Sequence, residues 1–204
     1  MNESELLGHL RRLQGQNNPD MSGLDLQDAQ LYGADLRGVR LFRVDLRGAD
    51  LRRAQLIGAD LSGCNLRTAK LTGADLSGAN LRRAKLSCNM SGAILKRAIL
   101  NDAIIMRSDL TGADLSLCMM DGVTLDDSNL TGANLAGATL THAELRHVNM
   151  RDANMSYATI SDSNMVSANL SGADLTGADL TGADLTGADL TGADLDGVNM
   201  AGSY

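Results

Sequence analysis

Leucine, replaced in places by methionine or isoleucine, returns at every fifth residue over most of the span from Met21 to Met200. The unit is plainest between Ala173 and Gly192, where Ala-Asp-Leu-Thr-Gly repeats four times without error. A period of five matches neither the 3.6 residues of a helical turn nor the alternation of a strand. Held this long, it calls for a solenoid, because so short a unit buries nothing alone and only stacked neighbours can supply a core.

The five positions read small, polar, leucine, polar, glycine. Position three recurs 14 times from Met21 to Leu86 and 23 times from Met90 to Met200, with Leu at 28 of these places, Met at 7 and Ile at 2. Positions one and three lie two apart, so in an extended segment both point to one side, which must be the interior. Twenty of the 22 glycines stand at position five. A turn over positions three, four, five and the next position one puts that glycine third, where a type II turn needs positive φ. With each bend near a right angle, four units close one coil. Parallel crossovers favour right-handed winding. The expected fold is therefore all-β, a right-handed quadrilateral parallel β-helix of about nine coils, stacked at ~4.8 Å into a rod of about 43 Å.

One unit is short. Leu86-Ser87-Cys88-Asn89-Met90 leaves only four residues from one central position to the next. It is either a shortened corner that the stack absorbs or a functional kink that bends the rod or opens a notch.

Residues 1–18 stand outside the repeat. Leu6, Leu7, Leu10 and Leu13 have roughly helical spacing, with Glu3 and Glu5 early and Arg11 and Arg12 late, as a helix dipole favours. The expected organisation is an amphipathic capping helix over 1–18 and a repeat domain over 19–204. The start lacks the basic, apolar pattern of a secretory leader, and no stretch approaches the roughly 18 apolar residues of a membrane span. Cys64, Cys88 and Cys118 all fall at position one, where alanine usually stands, and their spacing fits no zinc or redox pattern. Reduced, unpaired thiols suit a cytoplasmic protein.

The in-phase Ala-(Asp/Asn)-Leu-x-x units, running from about residue 19 to 202, resemble the pentapeptide-repeat family. The resemblance implies a right-handed quadrilateral β-helix, in agreement with the periodicity. Many members carry Phe at the central position; this chain has none there, so its axis is expected to be aliphatic. Comparable Leu-rich repeats occur in many bacterial proteins, cyanobacterial ones included, without a known role.

Positions two, four and five face solvent on this register. Position two is usually Asp or Asn, whose side chains stabilise local turns. Ile94, Ile99 and Ile104 replace the polar residue at position two on three successive sides, with Met119 one coil beyond Ile99. Met106 and Leu117 extend the zone. The expectation is an exposed apolar belt bordered by Arg82, Arg83, Lys85, Lys96, Arg97 and Arg107, an apolar centre with a charged rim as in protein contacts. Repeat drift without function is the competing account.

Charge is polarised. Residues 1–100 hold 15 Lys and Arg against 10 Asp and Glu; residues 101–204 hold 3 against 15. Arg37, Arg40, Arg43, Arg47, Arg52 and Arg53, with Arg67 one coil above Arg47, form a basic group that reads as a solvated face interspersed with Asp. Direct nucleic-acid binding is not expected, because only Tyr32 and Phe42 supply aromatic rings nearby and the whole chain is acidic.

His9, His142 and His147 are the only histidines, and Glu144 lies between the last two. They are too few for a metal site. No set of residues pairs a nucleophile with a base. Neither enzyme activity, cofactor nor metal is expected.

The leading functional reading is a rigid, non-enzymatic interaction scaffold that presents the mid-rod apolar and basic surface to a protein partner. An alternative comes from the resemblance, since some members mimic duplex DNA and bind DNA gyrase and other type II topoisomerases, shielding them from quinolones. Asp109, Asp114, Asp174, Asp179 and Asp194 are the acidic candidates. Against it, the chain lacks the dimerising C-terminal helix and the inserted loop of some such members. The last coil, with Leu185, Leu190, Leu195 and Met200, has no evident covering segment, so an end-to-end homodimer is expected there.

Overall fold

A computed structural model describes residues 19–204. The expected cap over 1–18 lies outside the described residues. Within them, every position-two residue from Asp20 to Asn199 takes part in a parallel β-bridge, mostly with the residue 20 positions away. The bridges fall into four columns. Face one begins at Asp20↔Arg40, face two at Asp25↔Asp45, face three at Gln30↔Asp50 and face four at Asp35↔Gln55. Four short sides thus close each coil, and the face-one column runs unbroken from Asp20 to Asn199.

Each coil is tied to its neighbours through its backbone. On face three, the Leu31 N–H donates to the Asp50 carbonyl at 2.9 Å, the Gly33 N–H to the Arg52 carbonyl at 2.9 Å, and the Asp50 N–H to the Ala29 carbonyl at 2.9 Å. The same three links recur along the rod, which satisfies most backbone groups without long strands.

The bore is filled as the five-residue pattern requires. Leu46, Leu51, Leu115 and Leu135 are fully buried, as are Ala49, Ala113 and Ala133. Removing these aliphatic chains from water supplies the main stabilisation, and the small position-one residue lets the walls close without voids.

Corners have the expected turn. The Ala34 N–H donates back to the Leu31 carbonyl at 3.0 Å, and Gly33 between them has a φ of +63°. The corner geometry does not depend on glycine, however. Sixteen non-glycine residues hold positive φ at position five, among them Thr68 at +61°, Leu117 at +59° and Tyr157 at +56°. Stacking therefore imposes the left-handed conformation even on β-branched and bulky residues, at a cost of about 1–2 kcal/mol each.

Position two supports the turn as well. One carboxylate oxygen of Asp174 accepts from the Thr176 N–H at 2.9 Å, and the Asn129 amide oxygen accepts from the Thr131 N–H at 3.2 Å. Asn149 also donates its side-chain amide to the Asn129 oxygen at 3.3 Å, forming one rung of a ladder along face three.

The short unit is absorbed by the stack. Lys70↔Asn89, Asp75↔Ile94, Asn80↔Ile99 and Lys85↔Ile104 are each 19 apart, after which Asn89↔Asp109 restores the spacing of 20. All four columns pass through it. A serine from the next coil repairs the missing turn: Ser108 Oγ accepts from the Cys88 N–H at 3.2 Å and donates to the Leu86 carbonyl at 3.1 Å. The Ser108 N–H in turn donates to Ser128 Oγ at 3.1 Å. Both serines are buried, so each hydroxyl replaces a bond whose loss would leave a buried backbone group unpaired.

Candidate functional site

Hydroxyl and carboxylate groups belong to the repeat pattern along the rod, so the informative features are the departures from that pattern. Ile94 lies on face four, Ile99 and Met119 on face one, and Ile104 on face two. Ile99 and Met119 are bridged partners on adjacent coils. Leu117 stands at the corner leading from face four to face one. Ile94, Leu117 and Met119 are 41%, 46% and 44% exposed, while Ile99 is half-buried. These four residues wrap one corner. Ile104 and Met106 are half-buried on face two and the corner after it, so they point away from the rest of the belt.

Two exposed apolar residues missed by the sequence reading belong to the same corner. Ile57 precedes Leu117 by three coils, and Tyr157 follows it by two. In the chain the three recur at multiples of 20, but three coils across the shortened unit span 59 residues, so Ile57 stands in the row of Ser116, beside the row shared by Leu117 and Tyr157. Glycines accommodate the large side chains: a Cβ on Gly137 would meet Leu117 Cδ2 at 2.9 Å, and one on Gly177 would meet Tyr157 Cε1 at 2.7 Å.

The cationic rim is divided between corners. Lys96 and Arg97 stand by Leu117 one coil below it, and among the described residues no ion pair engages either. Arg82 and Arg83 sit at the opposite margin of face one, where Arg83 Nε contacts Asp102 at 3.5 Å. Lys85 lies on face two, and Arg107, at the corner after it, contacts Asp127 at 3.5 Å. Arg82 and Arg83 line a shallow cleft of about 400 Å³ with Phe42, Arg43, Asn80 and Asp102. The Arg43 guanidinium stacks on Phe42, 4.8 Å from the ring centroid.

Acidic candidates do not converge on one surface. Asp174 and Asp194 are bridged on face four, with Asp114 three coils below Asp174; Asp179 is on face one and Asp109 on face three. The Asp174 and Asp179 carboxyls are held below the ordinary aspartate value by hydrogen bonds from the Thr176 and Thr181 hydroxyls and backbone. Both are therefore ionised at neutral pH, and neither has a cation partner among the described residues.

At the C-terminal end Leu185 remains buried and its N–H reaches the Tyr204 carbonyl at 3.0 Å. Leu190 is half-buried, whereas Leu195 and Met200 are exposed. His142 and His147 occupy left-handed corners on adjacent sides. Among the described residues no group of His, Cys, Asp and Glu is placed to hold a metal ion, and no helix is long and apolar enough to cross a membrane. The three cysteines are free and buried, and burial pushes each thiol up to about 12.

No curated protein matches the chain in sequence. Its fold is similar to that of HetL, a pentapeptide repeat protein involved in heterocyst differentiation regulation from the cyanobacterium Nostoc sp. strain PCC 7120. The identity is 31% over 100% of this chain and 96% of HetL, with a TM-score of 0.52. A second pentapeptide repeat protein from Nostoc PCC 7120, alr5209, is 33% identical over 55% of this chain and 84% of its own, with a TM-score of 0.30. QnrB1, a plasmid-mediated fluoroquinolone resistance protein, is 23% identical over 92% of this chain and 91% of its own; at a TM-score of 0.39 it adds nothing to the assignment. The profile of the pentapeptide repeats matches in 8 copies that together span residues 17–202. With a repeat that fills the rod and a relative aligned along its whole length, the chain belongs to the pentapeptide-repeat family, whose fold is the right-handed β-helix.

Proposed function

We propose that this protein is a rigid, non-enzymatic interaction scaffold, acting in the cytoplasm through a mid-rod contact with another protein. One observation carries the reading. Leu117 and Tyr157 place large, exposed side chains at left-handed corners where glycine would cost less, and both stand on the corner that also carries Ile94, Ile99 and Met119. Backbone strain that presents apolar surface to water is the expected mark of a binding surface rather than of a stabilising contact. Lys96 and Arg97 supply the charged rim, with Arg82 and Arg83 across face one. The proposed contact reaches Ile104, Met106, Lys85 and Arg107 only by extending round to face two and the corner after it.

The test changes Ile94, Ile99, Ile104 and Met119 together to Asp or Asn, the residues used at equivalent positions. The expected outcome is loss of a protein captured by the native chain, with the circular dichroism spectrum unchanged. Equal capture by both would remove the belt from consideration.

The organisation proposed is a cap over 1–18 and a repeat domain over 19–204, with buried thiols suited to a reducing compartment. The exposed Leu195 and Met200 favour end-to-end pairing of two copies through the last coil, together with Leu185 and Leu190. A strictly monomeric mass in concentrated solution would count against that pairing.

A second reading, a DNA-mimicking surface that binds DNA gyrase, is favoured by the carboxylates of Asp174, Asp179 and Asp194, which have no cation partner among the described residues, with Asp109 and Asp114 further down the rod. A supercoiling assay decides it: excess protein that neither inhibits gyrase nor protects it from a quinolone defeats the reading.

A further inference from the structure

We infer that the apolar part of face one is built to receive a second copy of this chain, lying side by side and antiparallel. The inference rests on the reading of this region as a protein contact and names its occupant.

Face one is a straight column of bridged residues, so a second copy can be matched to it coil by coil. Consider a two-fold axis lying across the face midway between Ile99 and Met119. Ile99 then meets Met119 of the second copy, Asn80 meets Thr139, Asp60 meets Thr159 and Arg40 meets Asp179. Apolar residues meet at the centre, neutral polar groups beside them, the Asp60 carboxylate meets a hydroxyl, and the opposite charges of Arg40 and Asp179 meet next to the terminal pair of Asp20 and Asn199. No like charges face each other in this column. A parallel pairing would instead set Arg40 on Arg40 and Asp179 on Asp179.

The margin of the face toward face four fits the same register. There Tyr157, 72% exposed, comes opposite Gly58 of the second copy, beside Ile57. A Cβ built on Gly58 would meet nothing within 4 Å, so this spot is open, and Ile57 beside it is 41% exposed. Within one chain Ile57 and Tyr157 are five coils apart, ~24 Å at the strand spacing, and cannot touch. One two-fold operation thus covers several of the exposed apolar groups on this side of the rod at once, as an isologous interface requires. It also lays the basic half of each rod along the acidic half of the other, which steers the encounter toward the antiparallel arrangement.

The test is a double variant of the full chain, Ile57→Cys with Tyr157→Cys, exposed to a mild oxidant beside each single variant. The native thiols are buried and do not compete. The expected result is a disulfide-linked species of twice the 21.4 kDa chain mass from the double variant, with each single variant remaining at chain mass. Adding Arg40→Glu should cut the linked fraction several-fold, and Asp179→Arg on the same chain should restore it. A double variant that stays at chain mass, or single variants that link to the same extent, would overturn the inference. Either failure removes the second copy as occupant and leaves the scaffold reading to its own capture assay, which uses different variants.

Discussion

Asp50 on an early coil and Asp179 on a late one occupy the same repeat position, and each accepts a hydrogen bond from the backbone N–H two residues on. Their outer partners differ. The Arg52 guanidinium grips both oxygens of Asp50, which is buried. Asp179 receives a neutral hydroxyl from Thr181 and remains half-exposed. Arg37 and Arg47 treat Asp35 and Asp45 as Arg52 treats Asp50, whereas Thr186 treats Asp184 as Thr181 treats Asp179. The turn is common to both ends; the charge is not. In these units the residue at position four decides whether the position-two carboxylate is neutralised or left free. No Lys, Arg or His follows Arg151, so the last coils keep all their negative charge.

The comparison can be tested first where it predicts no difference. Leu51→Ala and Leu180→Ala both open cavities in a fully buried bore and should each cost about 2–5 kcal/mol in chemical denaturation. A large disparity would show that the two halves are held by different cores. The next effect should separate them. Asp50→Ala removes a buried acceptor and strands its bonded partners, for an expected loss of about 1–3 kcal/mol. Asp179→Asn keeps the acceptor and removes only a free charge, so it should leave the denaturation midpoint nearly unchanged.

At the corners, Thr68→Gly should raise stability by about 1 kcal/mol, because a β-branched residue gives way to one that adopts positive φ freely. Asp162→Gly should do less, since Asp tolerates the left-handed region better. Thermal melts of the two variants give the comparison.

The smallest effect is that of acid on the late coils. Hydrogen bonds from Thr176, Thr181, Thr186 and Thr191 hold the folded carboxyls of Asp174, Asp179, Asp184 and Asp189 below the ordinary value of 3.8. A lowered folded pKa adds stability above the unfolded value, and that part is lost as pH falls through the folded one. Stability should therefore be insensitive to these groups at neutral pH and decline below about 4. Replacing the four threonines by Val should flatten the decline; an unchanged acid limb would remove these bonds as its cause.

Much of this molecule is legible in its sequence for a simple physical reason. A five-residue period held over so many units leaves the backbone little choice: alternate side chains must share the interior, a bend must follow, and every unit solves the same problem. The buried Ala133 and Leu135, the four columns and the partnership of Ile99 with Met119 all follow from that repetition. Glycine as the corner residue was legible only in part. Thr68, Leu117 and Tyr157 make the same corner because hydrogen bonds between coils outweigh the local preference of the residue.

Other features depend on groups far apart in the chain. Ser108 mends the corner at Cys88 from one coil away, and no local pattern marks that serine as different from any other small residue. Arg146 binds Asp126 across a coil, while Arg52 binds Asp50 within its own unit, although both arginines occupy position four. Ile57, Leu117 and Tyr157 recur at multiples of 20 in the chain, yet the shortened unit sets Ile57 one residue out of line with the other two. Repetition in the chain determines what faces inward. The stacking of coils decides which outward residues become neighbours, because lateral proximity is set by the closure of each turn and not by distance along the sequence.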